Sequence, residues 1–263
     1  MYASKYGNIS VVRFLIEQKA NANWTGPVDG WTPLLLACSE KHTNIAEILL
    51  DKGADAAVIV KQQYERVTNF SPLIFACMHS DTKMAEMLIK KGANVNYYAI
   101  NGYTFSEAFF PLNEACSRGN IDLVRLLINN GANVNFDNGA PLRLTLEKKG
   151  TEQIALLLIQ NGANPNVRTN MGNLLLAAVE NNYLQLAELA LDKGIDINQR
   201  NGSNYTPLMR ACMNGYLDMV KLLFGRGANP NLKDWYDVTA LGHARRTNRP
   251  SIVLWLTSQG VKE

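Results

Sequence analysis

The side chains best suited to acid–base, nucleophilic or metal chemistry are few. They are three histidines (His42, His79, His243) and four cysteines (Cys38, Cys77, Cys116, Cys212). A zinc site needs closely spaced Cys and His ligands. A nucleophilic site needs a base and an orienting carboxylate beside the nucleophile. No carboxylate or cysteine cluster accompanies His79 and His243 in the sequence, and His42 sits where a short turn is expected. Phosphate-binding glycine loops and the G-x-S-x-G turn are absent. Four cysteines in 263 residues make no disulfide framework. The chain therefore reads as a non-enzyme, with no catalytic residue, metal or cofactor expected.

The composition bounds the remaining classes. With 47% apolar residues the chain can bury a sizeable core. A net charge of +3, from 26 basic and 23 acidic residues, is too mild to make nucleic acid the expected partner. No apolar run reaches the ~18–20 residues that cross a bilayer, and the first residues show no basic-then-apolar signal-peptide pattern. The reading is a cytoplasmic protein with no membrane insertion.

The chain repeats itself. Asn129-Asn130-Gly131-Ala132-Asn133-Val134-Asn135 has relatives at Gly53, Gly92, Gly162, Gly194 and Gly227, with weaker copies at Lys19 and Gly260. The steps between these markers are 34, 39, 39, 31, 32, 33 and 33 residues. Before most of the glycines stands a second anchor: Thr32-Pro33-Leu34, Ser71-Pro72-Leu73, Phe110-Pro111-Leu112, Ala140-Pro141-Leu142 and Thr206-Pro207-Leu208. Asn173-Leu174-Leu175 and Thr239-Ala240-Leu241 are copies without the proline. Ala-Cys follows in four copies, so the cysteines share one position. A period near 33 marks a stack of helical repeats.

These motifs resemble the ankyrin repeat along essentially the whole chain. The resemblance implies an all-α ankyrin-repeat solenoid, built of helix-turn-helix units with short β-hairpin-like loops. Proline suits the first turn of a helix, and the preceding Ser or Thr can cap it. The second helix carries an apolar stripe, as in Leu123, Val124, Leu126, Leu127 and Ile128. Glycine then ends it in a left-handed conformation, and Asn or Asp satisfies the turn backbone. Stacked helices lie ~8–10 Å apart, beyond the ~7 Å reach of a disulfide, so the cysteines should be reduced core residues.

Counted from the anchors, a single repeat domain spans 1–263. Its repeats run over 1–23 (partial), 24–57, 58–96, 97–135, 136–166, 167–198, 199–231 and 232–263. The abrupt start reads either as an abbreviated cap over residues 1–20 or as the cut end of a longer protein, where the array would regulate or target an enzyme, channel or bacterial effector. The polar Thr257, Ser258 and Gln259 suit a terminal cap. The segments 56–70 and 97–109 carry about six extra residues each relative to the regular spacing. They contain Tyr64, Phe70, Tyr97, Tyr98, Tyr103, Phe105 and Phe109, and read either as tolerated loop insertions or as two long fingers widening a binding surface.

In the ankyrin family, hairpin tips and first helices line a concave groove that takes a partner. Mapped here, the exposed hairpin aromatics would be Trp31, Phe70, Phe109 and Tyr205, joined by Trp235 and Tyr236. Met78, His79, Arg118 and Met213 would face the groove from the first helices. Gly139 and Gly172 would leave a flatter middle. Basic clusters at Arg143, Lys148, Lys149 and at Arg245, Arg246, Arg249 read as solvated surface. The resulting expectation is a monomeric, non-catalytic interaction module or scaffold that binds a protein or peptide.

Overall fold

The computed structural model describes residues 1–27, 30–59, 67–101 and 108–262. It divides into two compact units, Met1–Val134 and Asn135–Glu263. The first unit contains α1 (Tyr2–Lys5), α2 (Ile9–Glu17), α3 (Pro33–Ser39), α4 (Thr43–Asp51), β1 (Val67–Thr68), α5 (Pro72–Met78), α6 (Thr82–Lys90), β2 (Ala99–Asn101), β3 (Ala108–Phe109), α7 (Pro111–Arg118) and α8 (Ile121–Asn129). The second contains α9 (Phe136–Leu146), α10 (Glu152–Gln160), α11 (Leu174–Asn181), α12 (Leu184–Asp192), α13 (Pro207–Asn214), α14 (Leu217–Gly225), α15 (Ala240–Arg246) and α16 (Pro250–Ser258).

Each unit is an all-α repeat stack in two layers. The first helices pack in the order α1, α3, α5, α7, and the second helices in the order α2, α4, α6, α8. The second unit repeats the arrangement with α9, α11, α13, α15 against α10, α12, α14, α16. The core between the layers is aliphatic: Leu34, Ile45, Leu73, Met84, Leu88, Leu123 and Leu127 are sealed, as are Leu142 and Leu158. Burying one such side chain contributes about 2 kcal/mol, more than the roughly 1 kcal/mol of a cap. Packing therefore makes these short helices stable, and the caps set where they begin.

The caps are where the motifs place them. The hydroxyls of Thr32, Ser71, Thr206 and Thr239 accept from the amides of Leu35, Ile74, Met209 and Gly242. Asn173 does the same for Leu176 at 2.9 Å. Phe110, standing in for Ser or Thr, gives no such bond. Gly131 closes its repeat at φ +84°. Lys19, at the weaker first copy, adopts φ +61° without glycine's freedom.

The long fingers pair with each other. Val67 and Thr68 lie opposite Asn101 and Ile100, and Ala99 and Ile100 opposite Phe109 and Ala108, all antiparallel. The outer parts of both fingers, with Tyr64, Tyr103 and Phe105, lie outside the described residues. The fifth repeat departs in the other direction. Asp137, Asn138 and Gly139 adopt left-handed conformations at the start of α9, in place of a hairpin. The extra residue near Gly150 falls in its inter-helix turn, where the Tyr183 hydroxyl accepts from the Thr151 amide at 3.0 Å and donates to the Lys148 carbonyl at 2.9 Å. Among the described residues, no helix is long and apolar enough to cross a membrane.

Candidate functional site

In the first unit the hairpin aromatics form one row. The Trp31 ring stacks on Phe75 at 5.8 Å, Phe75 on Phe70 at 4.9 Å, and Phe70 lies 5.3 Å from Phe109. Aromatic pairs at such separations are worth about 0.5–1.5 kcal/mol beyond area burial. The expectation that Trp31, Phe70 and Phe109 stand exposed needs correction. All three are half-buried, because each ring covers part of the next. Phe75, the residue that joins them, was not anticipated. It occupies the third position after the helix-opening proline, so comparing that position across the repeats is the signal that could have found it.

Other first-unit residues lie apart from this row in sequence and role. Met78 is half-buried near the end of α5. His79 does not offer a free ring, since its Nε2 contacts the Ser39 carbonyl of the preceding repeat at 2.8 Å. His42 is tied likewise to the Lys5 carbonyl at 3.0 Å. Arg118 is exposed, 4.0 Å from Glu114. Burial pushes the Glu114 carboxyl above its ordinary range, with Arg118 pulling the other way.

The second unit gathers a polar cluster. The Arg210 guanidinium grips both oxygens of Glu180, through Nε and through Nη2 at 2.7 Å. Asn214 reaches the same carboxylate at 3.4 Å. Arg210 also lies 5.7 Å over the Tyr205 ring, and its Nη1 is 3.9 Å from the Met213 sulfur. Tyr205 is half-buried rather than exposed, because its ring meets the His243 ring edge-on at 5.4 Å. Arg210 and His243 occupy the position that Phe75 holds in the first unit.

His243 has an acidic neighbour after all. The last hairpin folds Asp234 back so that Oδ2 lies 2.9 Å from His243 Nε2. Asp234 Oδ1 accepts from the amides of Tyr236 at 2.8 Å and Val238 at 3.0 Å. Both side chains are buried, at 8% and 1% exposure, and both carboxylate oxygens are engaged. The pair fastens the hairpin. It holds Trp235 and Tyr236 outward at 69% and 75% exposure, so those two aromatics stand exposed as expected.

The cysteines are buried and free in both units. Among the described residues no group of three His, Cys, Asp or Glu side chains could hold a metal ion.

The family model for ankyrin repeats matches the chain in three copies, over residues 1–99, 98–169 and 174–262. Each match spans more than one of the helix pairs described above. No curated protein matches.

Proposed function

The chain belongs to the ankyrin-repeat family, and from that premise we propose that it is a non-catalytic module holding a protein or peptide segment on its hairpin and first-helix side. Ankyrin repeats generally serve protein–protein interaction, and the family is typically non-catalytic. The observation that carries the reading is the row Trp31–Phe75–Phe70–Phe109, in which Phe75 is buried and the other three rings are half-buried. Partly exposed rings already stacked on one another offer apolar anchoring at little ordering cost. Met78, His79 and Arg118 would add first-helix contacts in the first unit. In the second unit, taken by itself, Tyr205, Met213, Trp235 and Tyr236 are the residues expected to touch a partner.

The test is affinity capture from native lysate with the wild type, Trp31→Ala and Phe109→Ala, beside their melting curves. Each variant should lose captured partner at least tenfold while its melting temperature falls by no more than about 3 °C. Early melting with capture intact would make the row purely structural.

A further inference from the structure

An asparagine followed by glycine can lose its side-chain amide by closing on its own backbone. The glycine nitrogen attacks the asparagine Cγ, and glycine suits the role because it has no side chain to crowd that nitrogen. The attack needs the nitrogen free of a hydrogen bond. Asn-Gly occurs at Asn101, Asn130, Asn138, Asn161, Asn201 and Asn214. Gly102 lies outside the described residues.

In four of the other five pairs the glycine amide is engaged. Gly131, Gly162 and Gly215 donate to the carbonyls of Ile128, Ile159 and Ala211 at 3.0, 3.1 and 3.1 Å. Gly139 is buried and donates to the Asn135 carbonyl at 3.3 Å. Three of these asparagines also tie down the nitrogen that would leave. Asn130 and Asn161 donate through Nδ2 to the Leu126 and Leu157 carbonyls at 2.8 Å, and Asn214 to Glu180 at 3.4 Å.

Asn201 and Gly202 differ on each count. Gly202 is exposed, and its amide donates to no acceptor among the described residues. Among them Asn201 Nδ2 also has no partner. Asn201 Oδ1 instead accepts from the amides of Ser203 and Tyr205, both at 3.0 Å. When a nitrogen adds to Cγ, negative charge develops on that oxygen. Two backbone amides already aimed at it stabilise the charge as an oxyanion hole does. The nucleophile stands one residue along the chain, so no second molecule has to be positioned.

The structure assigns to Asn201 a self-modification, in which its side chain closes on Gly202 and its amide becomes a carboxyl. The Gly202 nitrogen bonds to Asn201 Cγ, the Cγ–Nδ2 bond breaks, and ammonia leaves with the proton that the Gly202 amide gives up. Water then opens the cyclic imide at either carbonyl. One opening leaves an ordinary aspartyl residue, which keeps the acceptor oxygen and adds a negative charge. The other leaves an isoaspartyl link, which lengthens the backbone by a methylene and removes the side chain that closes this hairpin. That hairpin sets Tyr205 beside Arg210 and His243. The inference does not rest on the partner-binding reading.

Peptide mapping by mass spectrometry tests it, with an isoaspartyl methyl-acceptor assay, on the native 263-residue chain held at mildly alkaline pH. Conversion of amide to acid should run at least tenfold faster at Asn201 than at Asn130, Asn138, Asn161 or Asn214. In urea the five rates should converge. Gly202 is not at positive φ, and an added Cβ would meet nothing within 4 Å. Gly202→Ala should therefore keep the wild-type melt and slow the conversion at Asn201 at least tenfold. Native conversion at any of the other four as fast as at Asn201, or an undiminished rate in Gly202→Ala, would overturn the assignment. So would an Asn201 that stays intact in the native chain while the unfolded chain reacts.

Discussion

Two carboxylates show how immediate surroundings decide a charge. Burial alone would raise Asp234, yet the amides of Val238 and Tyr236 and the His243 ring hold its carboxyl below the ordinary range. A lowered carboxylate contributes stability above its unfolded pKa, and that stability is lost as pH falls through the folded value. Asp234→Ala should cost about 2–3 kcal/mol near neutral pH, because it leaves two amides and a buried imidazole unpaired. The cost, read from urea midpoints, should shrink on acidification. Glu114 carries the opposite sign. Burial raises it above 4.5, and the exposed Arg118 offsets only part of this. The folded state then penalises its charge, and stability falls as pH rises through the raised value. Glu114→Gln should melt higher than wild type at pH 7, with the difference closing below pH 4.5. A difference independent of pH would mean that ionisation plays no part.

Neighbouring repeats are joined by asparagines as well as by packing. Asn96 donates to the Gly131 carbonyl at 2.9 Å and accepts from the Asn133 amide at 2.8 Å. Asn23 makes the same pair of bonds to Gly53 and Asp55, and Asn135 to Gly162 and Asn164. The second repeat carries Ala57 at this position and lacks the link. Each solvent-exposed bond is worth roughly 0.5–1 kcal/mol. Asn96→Ala should therefore lower the urea midpoint modestly, and Ala57→Asn should raise it by a similar amount. An unchanged midpoint in both would show the loop bonds to be replaceable by water. Here lies the limit of what the residues announce. The glycine, the proline and the apolar stripe act within one helix pair, and spacing alone reveals them. The turn role of asparagine was legible for the same reason. Its reach into the next repeat was not, because it depends on how pairs stack. Phe75, the Arg210–Glu180 fork and the Asp234–His243 fastening share that character. Each needs a neighbour supplied by another helix or by a hairpin folded back, so reading one segment at a time misses it.

At the scale of the whole chain, the cysteines report on how the stack opens. Cys38, Cys77 and Cys116 lie in the first unit and Cys212 in the second, all buried and free. Burial pushes every one of these thiols upward, Cys212 to about 12. The thiolate is the reactive form, and a group so shifted exposes only about one part in ten thousand of it at pH 8. Repeats touch only their neighbours, so opening can begin in one region and spread. The native protein should give no fast phase with a thiol reagent at pH 8, and four equivalents should react in full denaturant. At intermediate urea, three equivalents released together would place the first opening in the first unit, and a single one in the second. A cysteine labelled within seconds in the absence of denaturant would contradict its place in the packed layer between helices. Because Asn96→Ala acts inside the first unit, it should advance the release of three thiols and leave the fourth where it was.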